Sequence, residues 1–233
     1  MQEELIKVSG GARLSGVVPI TGAKNSVLKL MAASILASGA TTITNTPAIS
    51  DVFIMGEVLK RLGAQVHLDG HVMTIDTTGI TSYETPYDLV VQMRASVAVL
   101  GPLVGRFGRA RVAMPGGCQI GSRKLDMHLL GLEELGVSFE VSHGYINATV
   151  PKTGLKAAHV TLEFASVGAT ENLMVAACCA KGTTVIENAA REPEISDLAN
   201  FLNLMGARIS GQGTPVITVE GVDPSSFVPV PSY

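Results

Sequence analysis

With 233 residues, 46% of them hydrophobic and 16% charged, the chain has enough apolar content to bury one large core or two modest ones. A formal net charge of −3 gives no broad positive field, so nucleic acid is not an expected partner, although an anionic small molecule needs only a few local cations. No stretch approaches the roughly 20 apolar residues of a membrane span, and Met1–Val8 mixes charge with apolarity, so no membrane association and a cytoplasmic location are expected.

Along the chain, the dominant signal is internal repetition. Leu30-Met31-Ala32-Ala33 returns as Leu173-Met174-Val175-Ala176, an offset of 143 residues. The same offset carries Gly39-Ala40-Thr41-Thr42-Ile43-Thr44-Asn45 onto Gly182-Thr183-Thr184-Val185-Ile186-Glu187-Asn188, and Leu62-Gly63-Ala64 onto Met205-Gly206-Ala207. A weaker third copy lies between them, with Val112 in place of Ile43 and Leu135-Gly136-Val137 in place of the Leu-Gly-Ala turn. It is longer by four residues, and Pro115-Gly116-Gly117-Cys118 falls within that stretch.

Each copy predicts strand, helix, strand, helix, hairpin. The first helix (Asn25 to Ala37, Arg94 to Val104, Ala169 to Ala180) is apolar or small nearly all round, the mark of a buried helix. The second (Asp51 to Leu62, Asp126 to Leu135, Ser196 to Met205) is amphipathic and ends at a glycine suited to the C′ position. Alternating runs then follow, as in Gln65–Leu68 and His71–Ile75, separated by the hairpin signal Asp69-Gly70. Three such units about a pseudo-threefold axis would place small sheets outside and apolar helices inside. This is an inverse α/β barrel, opposite in layering to the familiar parallel one.

Several connections have the residues for chemistry. Thr21-Gly22-Ala23-Lys24-Asn25-Ser26 sets a lysine at the start of a buried helix, where backbone amides, the helix dipole and a full charge favour an anion. It lacks the pattern of a Walker loop, and a solvated lysine before a helix is the plainer alternative. Arg94 opens a buried helix and needs a partner, either a structural carboxylate or a ligand phosphate. Met114 to Lys124 is a glycine-rich loop with Cys118 among glycines and two cations, Arg123 and Lys124, behind it; exposure beside positive charge favours thiolate. Cys178 and Cys179, on an apolar helix, are expected to be inert core thiols. Ser166, in Ala165-Ser166-Val167-Gly168, is either an ordinary N-cap or an anion contact. The five histidines show no ligand spacing, and no metal or other cofactor is expected.

Together, Gly22-Ala23-Lys24-Asn25, Met93-Arg94-Ala95-Ser96, Pro115-Gly116-Gly117-Cys118 with Ile120-Gly121-Ser122-Arg123, Ser166-Val167-Gly168-Ala169-Thr170 and Glu187-Asn188-Ala189-Ala190-Arg191-Glu192-Pro193-Glu194 resemble the UDP-N-acetylglucosamine enolpyruvyltransferase family over essentially the whole chain. That resemblance implies transfer of enolpyruvyl from phosphoenolpyruvate to the 3′-hydroxyl of UDP-N-acetylglucosamine, the first committed step of peptidoglycan synthesis. By the same resemblance Lys24 would hold phosphoenolpyruvate, and Asn25 the sugar nucleotide. Arg94, the run Arg123, Lys124, Leu125, Asp126 and Met127, and the run Phe164, Ala165, Ser166 and Val167 would line the UDP-sugar site. Cys118 would be the general acid. Two departures from the family pattern are Lys124, where proline is usual, and Phe164, where some members have lysine. The family has two similar domains with the site between them. Residues 1–20 would then be strands of the second domain, residues 21–228 the first domain (units about 21–85, 86–155 and 156–223), and residues 229–233 a linker. A half that binds the UDP-sugar without turnover is the alternative of a different class. The sister enzyme of the shikimate pathway shares the architecture without the Pro-Gly-Gly-Cys loop.

Overall fold

A computed structural model describes residues 5–90, 94–114 and 125–233. The pattern of a buried helix followed by a short strand appears three times. In the first unit α1 (Lys24–Ala33) tightens into a 3-10 turn at Ser34–Leu36 and leads into β1 (Ala40–Ile43). There follow α2 (Ser50–Leu62), β2 (Gln65–Asp69) and β3 (Val72–Asp76). The second holds α3 (Tyr87–Val90), a 3-10 turn at Arg94–Val99, α4 (Leu100–Phe107), β4 (Arg109–Ala113), α5 (Asp126–Glu134), β5 (Ser138–Ser142) and β6 (Tyr145–Thr149). The third comprises β7 (His159–Thr161), α6 (Val167–Ala177), β8 (Thr183–Glu187), α7 (Pro193–Leu204), β9 (Arg208–Ser210) and β10 (Val216–Glu220).

Among the described residues there are three small sheets, ordered β1-β3-β2, β4-β6-β5 and β7-β8-β10-β9. The hairpin's second strand is central in each, antiparallel to both neighbours. Alternation turns one face of that strand inward: Met73 and Ile75, Ile146 and Ala148, Ile217 and Val219 are all buried. The helices beneath are buried more completely, and every residue of α6 from Ala169 to Ala177 is inaccessible. Sheets therefore lie outside and apolar helices inside, as three separate sheets and not a closed β-barrel. Leu173→Ala in α6 would typically cost about 2–5 kcal/mol.

The amphipathic helices stop where their glycines stand. Gly63 closes α2 at φ 114°, and a Cβ there would lie 2.4 Å from the Gly79 carbonyl oxygen, so both conformation and space require glycine.

Three features depart from the simplest reading of the repeats. The middle buried helix does not run unbroken from Arg94. It is a 3-10 turn to Val99 and an α-helix from Leu100, because Pro102 lacks an amide hydrogen and its ring would clash with the carbonyl of Ala98 in a continuous helix. The third amphipathic helix starts at Pro193, ahead of Ser196, and proline's fixed φ suits the first helical position. The largest difference concerns the strand preceding α1. In the third unit β7 lies parallel on β8, and in the second Glu84 bridges in parallel to Arg111 of β4. The equivalent place beside β1 is held by the C-terminal residues: Thr42 N–H donates to Val230 (2.9 Å), Tyr233 N–H to the Thr42 carbonyl (2.9 Å) and Thr44 N–H to Tyr233 (2.6 Å). Residues 5–20 have no strand and are exposed throughout.

Candidate functional site

Lys29 of α1 pairs with Glu171 of α6, and Asn172 of α6 bonds to the Val97 carbonyl (3.3 Å) in the 3-10 turn. Those contacts lie five residues into α1, five and six residues beyond the N-cap Ser166 of α6, and three residues after Arg94. The starts of the three buried elements are thus at one level and open on one end of the molecule. His128, in the first turn of α5, lies against Gly168 of α6, which brings Leu125–Met127 to the same end as Ser166 and Val167.

The residues predicted from sequence fall into two groups. Lys24 and Asn25 form the first turn of α1, Leu125 precedes α5 with Asp126 and Met127 in its first turn, and Ser166 caps α6 with Val167 its first residue. Phe164 and Ala165 are exposed just before that cap. The backbone of Arg94 opens the 3-10 turn. Cys118, Arg123 and Lys124 lie outside the described residues.

Local chemistry at these helix starts is mixed. Ala23, the N-cap of α1, brings no side-chain acceptor to the first amides, which leaves the positive end of the helix for an external anion. Yet Lys24 is paired with Asp51 of α2, and Asn25 donates to Glu194 of α7 (3.4 Å). Ser26 donates to Asp197, which also receives the Tyr233 hydroxyl at 2.7 Å. An anion reaching Lys24 therefore shares that lysine with Asp51. At α6 the Ser166 hydroxyl accepts from Ala169 N–H at 3.4 Å, so the N-cap reading holds, with a long bond.

The sequence reading missed the polar centre beneath. α6 is not apolar all round: Thr170, Glu171 and Asn172 are buried in succession, and the 100° step of a helix sends each toward a different neighbour. Thr170 accepts from Ala190 N–H (3.0 Å), and Glu171 takes the Lys29 ammonium. Asn172 accepts from Gly101 N–H (2.8 Å), which holds the break between the 3-10 turn and α4. Because Gly101 requires the amide oxygen, the Asn172 nitrogen faces His128 Nδ1 at 2.9 Å, and that ring nitrogen must act as acceptor. Burial pushes the Glu171 carboxyl up, opposed by Lys29. A usable signal existed: Lys29 and Glu171 each stand within a mostly apolar stretch of a helix expected to be buried, and opposite charges so placed suit one another. Cys178 and Cys179 are both buried. Desolvation raises the Cys178 thiol well above the ordinary range and Cys179 to about 12, as befits core thiols.

Small sheets outside buried helices, with helix starts converging at one end, define the enolpyruvyl transferase class of α/β proteins. Solved relatives agree: the enolpyruvyl transferase NikO from Streptomyces tendae matches with a TM-score of 0.82 at 26% identity, over 96% of this chain and 52% of that one. EPSP synthase from Acinetobacter baumannii shares the fold with a TM-score of 0.71 at 16% identity, over 93% of this chain and 48% of that one. The chain belongs to the EPSP synthase (3-phosphoshikimate 1-carboxyvinyltransferase) family, whose model matches residues 8–229. Within it, the chain is 55% identical over 216 residues to UDP-N-acetylglucosamine 1-carboxyvinyltransferase of Corynebacterium jeikeium, covering 93% of this chain and 51% of that protein. It is 49% identical over 229 residues to the enzyme of that name from Desulfatibacillum aliphaticivorans, covering 97% and 55%. The chain spans about half the length of the curated relatives it matches. None of the described helices is long and apolar enough to cross a membrane.

Proposed function

We propose that this chain is the UDP-sugar-binding, cysteine-bearing half of a UDP-N-acetylglucosamine 1-carboxyvinyltransferase, a cytoplasmic enzyme of peptidoglycan synthesis. The observation that carries the reading is the convergence of Lys24, Asn25, Leu125–Met127, Ser166 and Val167 at the end of the molecule where three buried elements begin. The names of the relatives at 49 and 55% identity supply the substrates and favour this reading over the shikimate-pathway reaction.

In this reading the reaction has two balanced halves. A proton from the Cys118 thiol adds to the methylene carbon of phosphoenolpyruvate while the sugar 3′-oxygen bonds to its neighbouring carbon and gives its own proton to a base. Loss of a methyl proton to the Cys118 thiolate left by the first half, with cleavage of the carbon–oxygen bond to phosphate, then restores the double bond and the thiol and releases phosphate. Lys24 and the amides of α1 hold the phosphoenolpyruvate phosphate, where developing charge is stabilised. Asn25, Arg94, Arg123, Lys124, the Leu125–Met127 turn and the Phe164–Val167 run hold the UDP-sugar. The base and further phosphoenolpyruvate contacts belong to a second enolpyruvyl transferase domain.

Phosphate release measured on the chain alone, and mixed with a second-half fragment of a relative, tests this. The expected outcome is no turnover alone, because general acid–base assistance is worth about 10²- to 10⁴-fold and lost positioning costs more. Activity should appear on mixing. Arg123→Ala should weaken binding of UDP-N-acetylglucosamine by about 1–3 kcal/mol. Binding without turnover in any mixture would leave a UDP-sugar module and not an enzyme half.

A further inference from the structure

Where α1, α6, α7 and the 3-10 turn before α4 meet, a cavity of about 10 Å³ has Lys29, Glu171 and Asn172 on its polar side and Ala33, Ala98 and Val175 on its apolar side. Lys29 and Glu171 form a nearly inaccessible ion pair, with side chains 13% and 3% exposed. That pair uses Glu171 Oε2, while Oε1, also buried, has no hydrogen-bond partner among the described residues. A buried carboxylate oxygen without a donor is costly, and such atoms usually find one.

We propose that this cavity is a binding site for a single structural water, which completes the hydrogen bonding of Glu171 and joins α1 to α6. The volume is about what one water needs. Charge makes the same selection: ammonium and carboxylate already cancel, so a cation would face Lys29 and an anion Glu171, whereas a neutral molecule that both donates and accepts suits both. The partners are at hand. Only one of the three Lys29 N–H donors is used by Glu171, so the water accepts from a second. Its two hydrogens go to Glu171 Oε1 and to the Asn172 Oδ1 lone pair left after Gly101 N–H. That gives three hydrogen bonds, the usual number for a buried water. The site lies below the helix starts and does not depend on the substrate assignment. Its role is to let the polar residues of α6 pass through the core without an unmet charge.

A high-resolution crystal structure of the chain, with three variants, decides the matter. The expected result is one density peak within hydrogen-bond reach of Glu171 Oε1, as well ordered as the surrounding side chains and retained in Glu171→Gln, which keeps the shape. Ala33→Val should fill the space, lose the peak and lower the urea midpoint. Lys29→Met with Glu171→Leu removes the polar lining and should lose the peak even where space remains, since small apolar cavities stay dry. The proposal is overturned if the wild-type cavity shows no peak, if Glu171 Oε1 meets a protein donor instead, or if the peak survives in the doubly apolar variant. Failure of that variant to fold leaves the wild-type density and Ala33→Val to decide.

Discussion

The two ends of the chain are both rich in apolar residues and meet opposite fates. Leu5, Ile6, Val8, Leu14, Val17, Val18 and Ile20 are between 77 and 97% exposed, whereas Phe227 and Val230 are 6 and 4% exposed. Hydrophobicity alone does not separate them. The C-terminal segment also offers hydrogen bonds in register. It supplies the parallel edge that β1 lacks, and Tyr233 adds an edge-on contact with Phe201 (5.1 Å) and a hydroxyl for Asp197. Docking needed an open strand edge and fitted side chains together, and the N-terminal segment meets neither in this fold.

Truncation breaks that comparison most sharply. Removing residues 229–233 forfeits the burial of Val230 and several backbone hydrogen bonds, an expected loss of about 3–5 kcal/mol in urea unfolding. Removing residues 1–20 should change stability by less than about 0.5 kcal/mol, as for surface changes without partners. Equal effects would mean that the two ends are held alike.

Glycine substitutions locate where the loose segment ends. Gly22 N–H donates to Asn45 (3.0 Å), and a Cβ at Gly22 would sit 2.2 Å from that same carbonyl oxygen. Gly22→Ala should therefore cost about 1–3 kcal/mol through backbone displacement. Gly10→Ala, with nothing within 4 Å, should be neutral in the same unfolding experiment.

A smaller effect tests the tail's polar anchor. Tyr233→Phe removes a hydrogen bond to a carboxylate, worth about 1.5–3 kcal/mol at most and less at a half-exposed site. Burial, with the hydrogen bond and negative charge of Asp197 beside it, raises the Tyr233 phenol well above its ordinary value. The folded chain thus keeps a proton that the unfolded chain releases above about pH 10, and stability falls as pH rises beyond that point. Unfolding followed between neutral and strongly alkaline pH should show this decline, and Tyr233→Phe should reduce it.

Much of the architecture was legible because repetition constrains it. The 143-residue offset predicted matching helices and strands in the first and third units, and Gly63, Gly136 and Gly206 marked the helix ends. Pairing between segments far apart in the chain was not legible. Nothing in the local pattern of Val230 to Tyr233 shows that it will hydrogen-bond to a strand edge, because its partner β1 is about 190 residues away. The site was half visible. Motif residues such as Lys24, Asn25 and Ser166 could be placed at helix starts, but Asp51 and Glu194, the carboxylate neighbours of Lys24 and Asn25, come from other elements. Lys29, Glu171 and Asn172 were hidden for a related reason: a periodicity scan averages two or three polar residues into an apolar helix.

The central claim is that the UDP-sugar binds at the end where α1, α5, α6 and the 3-10 turn begin. Titration of the ¹⁵N-labelled chain with UDP-N-acetylglucosamine tests it most directly, read from amide chemical shifts. The account predicts shifts concentrated at Asn25, Leu125 to Met127 and Ser166 to Gly168, with Gly39, Gly108 and Gly182, beyond the far ends of the buried helices, unmoved. Shifts centred on those far-end glycines, or no shifts at ligand concentrations that saturate a full-length relative, would contradict it.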